Sequence, residues 1–322
     1  MPASPSSRDN GSAGTVGMIG LGIMGSAMAA NLVRAGFAVS GCDPVPAARS
    51  RLRRAGGTPR ADAAAVARTC ERIVLSLPSV AALDQVCDAI AAHGRRGAIV
   101  AETSTLPVAD KERARRRLAA AGIVLLDCPL SGTGAQARVR DLAVYASGPA
   151  RAIRAFAPVF DGFARARYDV GGFGNGMRMK LVANLLVAIH NIAAAEAILF
   201  GERAGLDPAQ VVQVVADGAG GSRMFQVRGP TMVARGWGEA TMKVSTWQKD
   251  MGLIAAALAA TDTPAPLFAA CVPVYNAAMG QGHGGDDTAA VYAVLERLAG
   301  GGSAPSAGAA PPARRPRRAA RR

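Results

Sequence analysis

Lysine is rare in this chain: of 37 basic residues only Lys111, Lys180, Lys243 and Lys249 are lysines, and the rest are arginines. Aromatics are scarce too, at 4% of 322 residues. A base-stacking nucleic-acid surface sets aromatic rings among its cations, and the arginine-rich C-terminal stretch contains none. Only three histidines are present, and five cysteines (Cys42, Cys70, Cys87, Cys128, Cys271). None of their spacings suits a metal site, so no metal is expected. An odd, scattered set of cysteines points to reduced thiols in a cytoplasmic protein. Residues 1–14 lack the basic-then-apolar layout of a signal peptide. The two most apolar stretches do not read as membrane spans. "TVGMIGLGIMGSAMAANLV" is interrupted by four glycines, and "LVANLLVAIHNIAAAEAILF" carries Asn184, His190, Asn191 and Glu196.

What is present is half hydrophobic and long enough for two domains. The net charge is +14, but the last 22 residues hold six arginines and no acid, so the remainder carries +8. A tail of Gly, Ser, Ala, Pro and Arg cannot bury enough apolar surface to fold alone. It reads as a solvated, disordered end rather than a nucleic-acid or membrane contact.

From residue 15 to about 170, short apolar runs alternate with alanine-rich helical stretches. The runs are 15–20, 38–43, 72–78, 97–105, 123–129, 142–148 and 167–170. Runs that are apolar throughout suit strands covered on both faces, and the alternation suggests βαβ units in a parallel sheet. Beyond residue 176 the pattern is helical only, with segments near 177–204, 208–216, 247–260, 264–280 and 286–299. The expected fold class is therefore α/β. A doubly wound, parallel-sheet domain (15–175) precedes an all-helical domain (176–299), between disordered ends (1–14 and 300–322).

Gly20, Gly22 and Gly25 form a G-x-G-x-x-G series that follows a strand-like run and opens a helix. In that setting the glycines allow a tight turn, close approach of a pyrophosphate and close helix packing. Leu21, Ile23 and Met24 lie within the loop and on the helix start, where backbone N–H groups face an anion. Asp43 ends the second strand 23 residues after Gly20. A carboxylate there binds ribose hydroxyls and repels a 2′-phosphate, which favours NAD over NADP. Arg49 nearby leaves NADP open. The alternative for the glycines is a turn with no ligand.

Lys180 and Asn184 are four apart and share a helix face, with Asn191 further along it. Arginine keeps its proton at any working pH, whereas a lysine in a dry pocket can exchange one. A lysine in a chain that otherwise prefers arginine therefore suggests proton chemistry. The alternative is a solvated lysine on a helix exterior. His190 and His283 read as packing residues, Cys128 as a small space-filling residue, and Asp286 or Asp287 as the N-cap of the last helix.

Four motifs in order resemble the β-hydroxyacid dehydrogenase family, whose type member is 3-hydroxyisobutyrate dehydrogenase. They are "GLGIMGSAMAANLVRAG", "DCPLSG" (127–132), "GNGMRMKLVAN" (174–184) and "KDMGLI" (249–254), and the likeness spans about residues 15–299. The resemblance implies hydride transfer between NAD and a small 3-hydroxy acid. Lys180 would be the general acid/base, and Asn184 would orient substrate. Ser131, Gly132 and Thr133 would bind the substrate carboxylate through hydroxyl and backbone N–H groups. Lys249 would lie by the nicotinamide, and Leu77, Pro78 and Thr105 would line the cofactor cleft. It also implies a homo-oligomer, dimer or tetramer. Thr133 stands where the family has glycine, and Trp247 departs from the usual apolar run; both bear on which acid is bound. Two other readings are an NADPH-dependent reductase of a semialdehyde such as tartronate semialdehyde, and a non-catalytic cofactor-binding protein with a nucleic-acid-binding tail. The presence of Lys180 and Asn184 weighs against the second.

Overall fold

The structure is a computed structural model, and it describes residues 14–300. Apart from Gly14 and Gly300, the disorder expected at the two ends concerns residues outside that range. Strands β1 (Thr15–Ile19), β2 (Ala38–Cys42), β3 (Thr58–Pro59), β4 (Arg72–Leu75), β5 (Ile99–Glu102) and β6 (Val124–Asp127) form one parallel sheet in the order β3-β2-β1-β4-β5-β6. Helices α1 (Ile23–Arg34), α2 (Pro46–Arg54), α3 (Ala63–Thr69), α4 (Val80–His93) and α5 (Val108–Ala120) connect them. This is the doubly wound order, in which the winding reverses between β1 and β4 and opens a crevice at the strand C-termini.

The strands read as continuously apolar because both faces are covered. Val16 and Met18 of β1 enter a core with Leu32, Phe156 and Phe160, while Ile19 enters the opposite core with Leu83 and Ile90. Val74 of β4 joins the first core, and Ile73 and Leu75 join the second. This is the period-two alternation of a strand. Each such large side chain contributes about 1.5–3 kcal/mol on burial.

The runs at 142–148 and 167–170 do not extend this sheet. With β7 (Leu130–Ser131), strands β8 (Ala143–Ala146) and β9 (Ala166–Asp169) make a separate three-stranded sheet, in which β7 and β8 are antiparallel. Helices α6 (Gly134–Arg138) and α7 (Ala150–Phe163) complete this region. The connection between β7 and β8 is residues 132–142 with only a five-residue helix. A parallel crossover needs a dozen residues or more, so the chain turns back instead.

The rest is helical: α8 (Asn175–Arg203), α9 (Pro208–Asp217), α10 (Arg223–Val233), α11 (Val244–Ala260), α12 (Pro266–Gly280) and α13 (Val291–Leu298). By length and composition α8 could cross a membrane, yet it packs against each of the other five helices. Helix α10 is not among the helical segments expected from the sequence, and it contains Gly229–Pro230, a pair that disfavours helix. It persists because Ser222 caps it and Phe225, Arg228 and Met232 are buried along it. The last helix starts later than expected. Residues 283–285 and 288–290 form 3₁₀ turns, and Asp287 caps the second of them through the N–H of Ala289.

Candidate active site

The β1–α1 loop fits a dinucleotide by its own packing. Gly20 has φ +89°, and a Cβ on it would lie 2.1 Å from the Ser76 carbonyl oxygen. A Cβ on Gly25 would lie 1.9 Å from the carbonyl oxygen of Gly20. Gly22 has nothing within 4 Å of its Cβ position, so the space before α1 is open. Gly22 is also the N-cap and has no side chain to cap the first-turn N–H groups of Ile23 and Met24. Asp43 accepts the N–H of Leu21 (2.7 Å) and of Val45 (2.8 Å), which holds its carboxylate beside the loop. Arg49 donates to the backbone carbonyls of Asp43 (2.5 Å) and Pro44 (3.1 Å), not to the carboxylate. Across the crevice, the N–H of Leu77, just before Pro78, donates to Ser104 Oγ (2.7 Å).

Lys180 is half-buried on the first turns of α8, and Asn184 one turn on is buried. Burial lowers the Lys180 pKa; Asp250 opposes this and Lys249 adds to it, leaving the pKa below the ordinary value of 10.5. The Asn184 amide donates to Asp250 Oδ2 at 3.1 Å. Lys249 Nζ stands 3.4 Å from Asp250 Oδ1 and donates to the Thr105 carbonyl at 2.7 Å. The Lys-Asp segment of α11 thus joins the face of α8 that carries Lys180 and Asn184 to the loop after β5. Burial raises the Asp250 pKa, against the opposing effect of Lys249 and Lys180.

Ser131, Gly132 and Thr133 line the same cavity as Lys180 and Asn184; its volume is about 830 Å³. Thr133 is not free to act as expected. Its N–H donates to Gln136 Oε1 (2.9 Å), its hydroxyl donates to the same oxygen (3.3 Å), and its Oγ accepts the Gln136 N–H (3.4 Å). This capping box starts α6 and consumes both donors assigned to the substrate carboxylate. Among the described residues the Ser131 hydroxyl and the Gly132 N–H have no such partners.

Other lining residues had little signal in the sequence. His190 faces the cavity rather than a packed interior, and Tyr275, Thr288 and Trp247 line it too, with Trp247 packed on Tyr275. Arg228 is buried there and paired with Asp287 Oδ1 at 2.5 Å. Asp287 also accepts the N–H of Thr241 (2.8 Å), so it is a buried hub as well as a cap. Asn191 donates to Tyr275 Oη (3.1 Å) and the Thr288 carbonyl (3.0 Å), tying α8 to α12 and to the 3₁₀ turn at 288–290. His283 pairs with Asp286 at 2.8 Å. Cys128 is fully buried and burial holds its thiol pKa well up, which suits a space-filling role. Among the described residues no group of His, Cys, Asp and Glu is placed to hold a metal.

Residues 15–172 match the family model of the NAD binding domain of 6-phosphogluconate dehydrogenase. Residues 174–295 match that of the NAD-binding region of NADP-dependent 3-hydroxyisobutyrate dehydrogenase. The chain is 34% identical to the L-threonate dehydrogenase of Cupriavidus necator over 284 residues, 87% of this chain and 95% of that protein. It is 29% identical to the 2-hydroxy-3-oxopropionate reductase of Escherichia coli over 88% of this chain and 98% of that protein. Among solved structures, 3-hydroxyisobutyrate dehydrogenase from Salmonella typhimurium aligns with TM-score 0.79 at 31% identity, covering 87% of this chain and 99% of that one. Its counterpart from Mycobacterium tuberculosis, solved with L-serine, aligns with TM-score 0.79 at 27% identity, covering 87% and 98%. Matched in both halves, and by relatives that run nearly end to end along it, the chain belongs to the β-hydroxyacid dehydrogenase family.

Proposed function

We propose that the protein oxidises a small 3-hydroxy acid with NAD, and that Lys180 is the general base of that oxidation and the general acid of its reversal. The observation that carries this reading is the convergence of Lys180, Asn184 and the Ser131–Gly132 turn on one cavity, with Lys249 bridging from it to the cofactor cleft. The residues of the β1–α1 loop, Gly20 to Gly25, would hold the pyrophosphate, and Asp43 the adenosine ribose. Leu77, Pro78 and Thr105 would line the cofactor cleft, and Lys249 would lie by the nicotinamide. Bound NAD supplies a two-electron acceptor for the hydride on the carbinol carbon. Lys180 Nζ, whose pKa burial lowers, takes the hydroxyl proton in its neutral form as that carbon becomes a carbonyl. Asn184, fixed by Asp250, orients the reacting oxygen. The Ser131 hydroxyl and Gly132 N–H bind the carboxylate, and Thr133 sets the cavity wall.

In this reading residues 15–175 are the dinucleotide domain and 176–299 the helical substrate and oligomerisation domain. The enzyme works in the cytoplasm as a homo-oligomer, for which the exposed apolar Met179, Val182 and Leu186 of α8 offer a surface. The test is NADH formation with a panel of 3-hydroxyisobutyrate, serine, glycerate and threonate, with Lys180→Ala alongside. Turnover on one acid that is lost in the variant while NAD still binds supports the reading. Equal turnover in the variant overturns it.

A further inference from the structure

Lys111 is one of only four lysines, and no step of the proposed reaction uses it. Lys111, Glu102 and Asp127 are fully buried. The ammonium lies 2.7 Å from Glu102 Oε2 and donates to Asp127 Oδ1 at 2.7 Å. Glu102 and Asp127 are register partners at the C-terminal ends of β5 and β6, so the sheet itself sets two carboxylates side by side beneath the cleft. Without a cation between them, two buried carboxylates this close do not both ionise. Burial opposes the Lys111 charge, but Glu102 and Asp127 outweigh it and the ammonium is retained.

The triad continues in both directions. Asp127 Oδ2 accepts the N–H of Met177 (2.7 Å) and the hydroxyl of Ser147 (3.3 Å), and Ser147 Oγ accepts the N–H of Gly176 (2.9 Å). Asp127 therefore caps the first turn of α8, where the helix dipole also favours a carboxylate. The seat is close: a Cβ on Gly176 would stand 2.5 Å from the Tyr145 carbonyl oxygen and 2.6 Å from that of Asp127. On the other side, Glu102 Oε1 accepts the N–H of Ser104 (2.8 Å), whose hydroxyl accepts the N–H of Leu77 (2.7 Å). One chain of polar contacts runs from the crevice loop after β4, through Lys111, to the helix turn that carries Lys180 three residues past Met177.

We propose that Lys111 is a positioning residue: by keeping Glu102 and Asp127 in place it seats the first turn of α8 on the strand ends, and so fixes Lys180 and Asn184 relative to the dinucleotide. This rests on the reading of Lys180 as the general base. Lys111 itself touches neither substrate nor cofactor. A packing role alone would be met by an apolar side chain of similar length. The positioning role instead depends on the charge balance around Asp127.

Three full-length proteins decide it: the wild type, Lys111→Met, and the double variant Glu102→Gln/Lys111→Met. The single change leaves two buried carboxylates that share one charge, so Asp127 is neutral part of the time and holds the α8 N–H groups less firmly. The double change removes one positive and one negative charge together, and returns Asp127 to the helix N-terminus as the one remaining charge. Amide hydrogen exchange of residues 174–180 is read in the cofactor-free protein, and kcat and KM are read with NAD and the acid. In Lys111→Met, exchange of the α8 first turn accelerates. The kcat falls about ten- to a hundred-fold, as for misplacement of a reacting group by about an ångström, with KM little changed. Both recover in the double variant. Wild-type exchange and kcat in Lys111→Met, or a double variant no better than the single one, would overturn the proposal. If Lys111→Met does not fold, the double variant decides alone: wild-type exchange and kcat support the assignment, and fast exchange overturns it. Full turnover in Lys180→Ala would remove the acid/base reading on its own, while the exchange measurement would still judge the seat of α8.

Discussion

Replacing Lys180 with arginine separates charge from proton exchange. Both side chains are cations of similar reach, and the cavity of about 830 Å³ has room for a guanidinium. Attraction for an anionic acid is therefore retained. What is lost is the ability to become neutral, because the arginine pKa lies far above any working pH. A positioned general base contributes about 10²–10⁴ in rate, or about 3–5 kcal/mol of transition-state stabilisation. Lys180→Arg should lower kcat by that factor and change KM for the acid by less than about threefold, which corresponds to under about 0.7 kcal/mol. The pH dependence supplies a second arm. The neutral amine is the active form in oxidation, and the Lys180 pKa is lowered from 10.5. Wild-type oxidation should therefore rise with pH through a window below 10.5 and level off above it. Reduction, which needs the ammonium, should fall through the same window. Lys180→Arg should show neither change. The assay is initial-rate NADH absorbance across pH in both directions. Retention of kcat within about threefold, or the same pH profile in the variant, would refute the reasoning, since the proton would then be moving through another group.

Asp287→Asn should destabilise the fold by about 3–5 kcal/mol in denaturant unfolding, because it strands the buried Arg228 guanidinium. A loss below about 1 kcal/mol would mean that Arg228 finds another partner. Gly25→Ala should abolish dinucleotide binding in calorimetry, since its Cβ would stand 1.9 Å from the Gly20 carbonyl oxygen. Asp43→Ala should weaken NAD and narrow its advantage over NADP, because in the proposed reading its carboxylate binds the ribose, and it also holds the Leu21 N–H. Deleting residues 301–322 should leave kcat and KM unchanged and lower nonspecific retention on an anionic column, as six arginines are removed.

The local features were legible along the chain because short-range physics dictates them. The strand–glycine loop–helix unit, Asp43 at the end of β2 and the four-residue step from Lys180 to Asn184 are each set within a few turns of backbone. The all-parallel strands advertised themselves by being apolar on both faces. Contacts between distant segments were not legible. At Thr133 the three-residue step to Gln136 is a local capping-box signature, whereas nothing in "RGP" says that a buried helix runs through it. Propensity argued for a break at Pro230, and burial of Phe225, Arg228 and Met232 outweighed it.

The sequence by itself determined the dinucleotide loop, the order of sheet before helices, and a lysine on a helix face with an asparagine one turn on. It did so because each depends on side-chain spacing along one element. Only the tertiary structure decided what those groups do to one another. Burial lowers the Lys180 pKa, Asp250 takes the Asn184 amide, and Lys111 is enclosed between Glu102 and Asp127 under the start of α8. Desolvation and pairing depend on which strand ends and helix turns come together in space. That is a property of strand register and packing, and a linear pattern of residue types does not contain it.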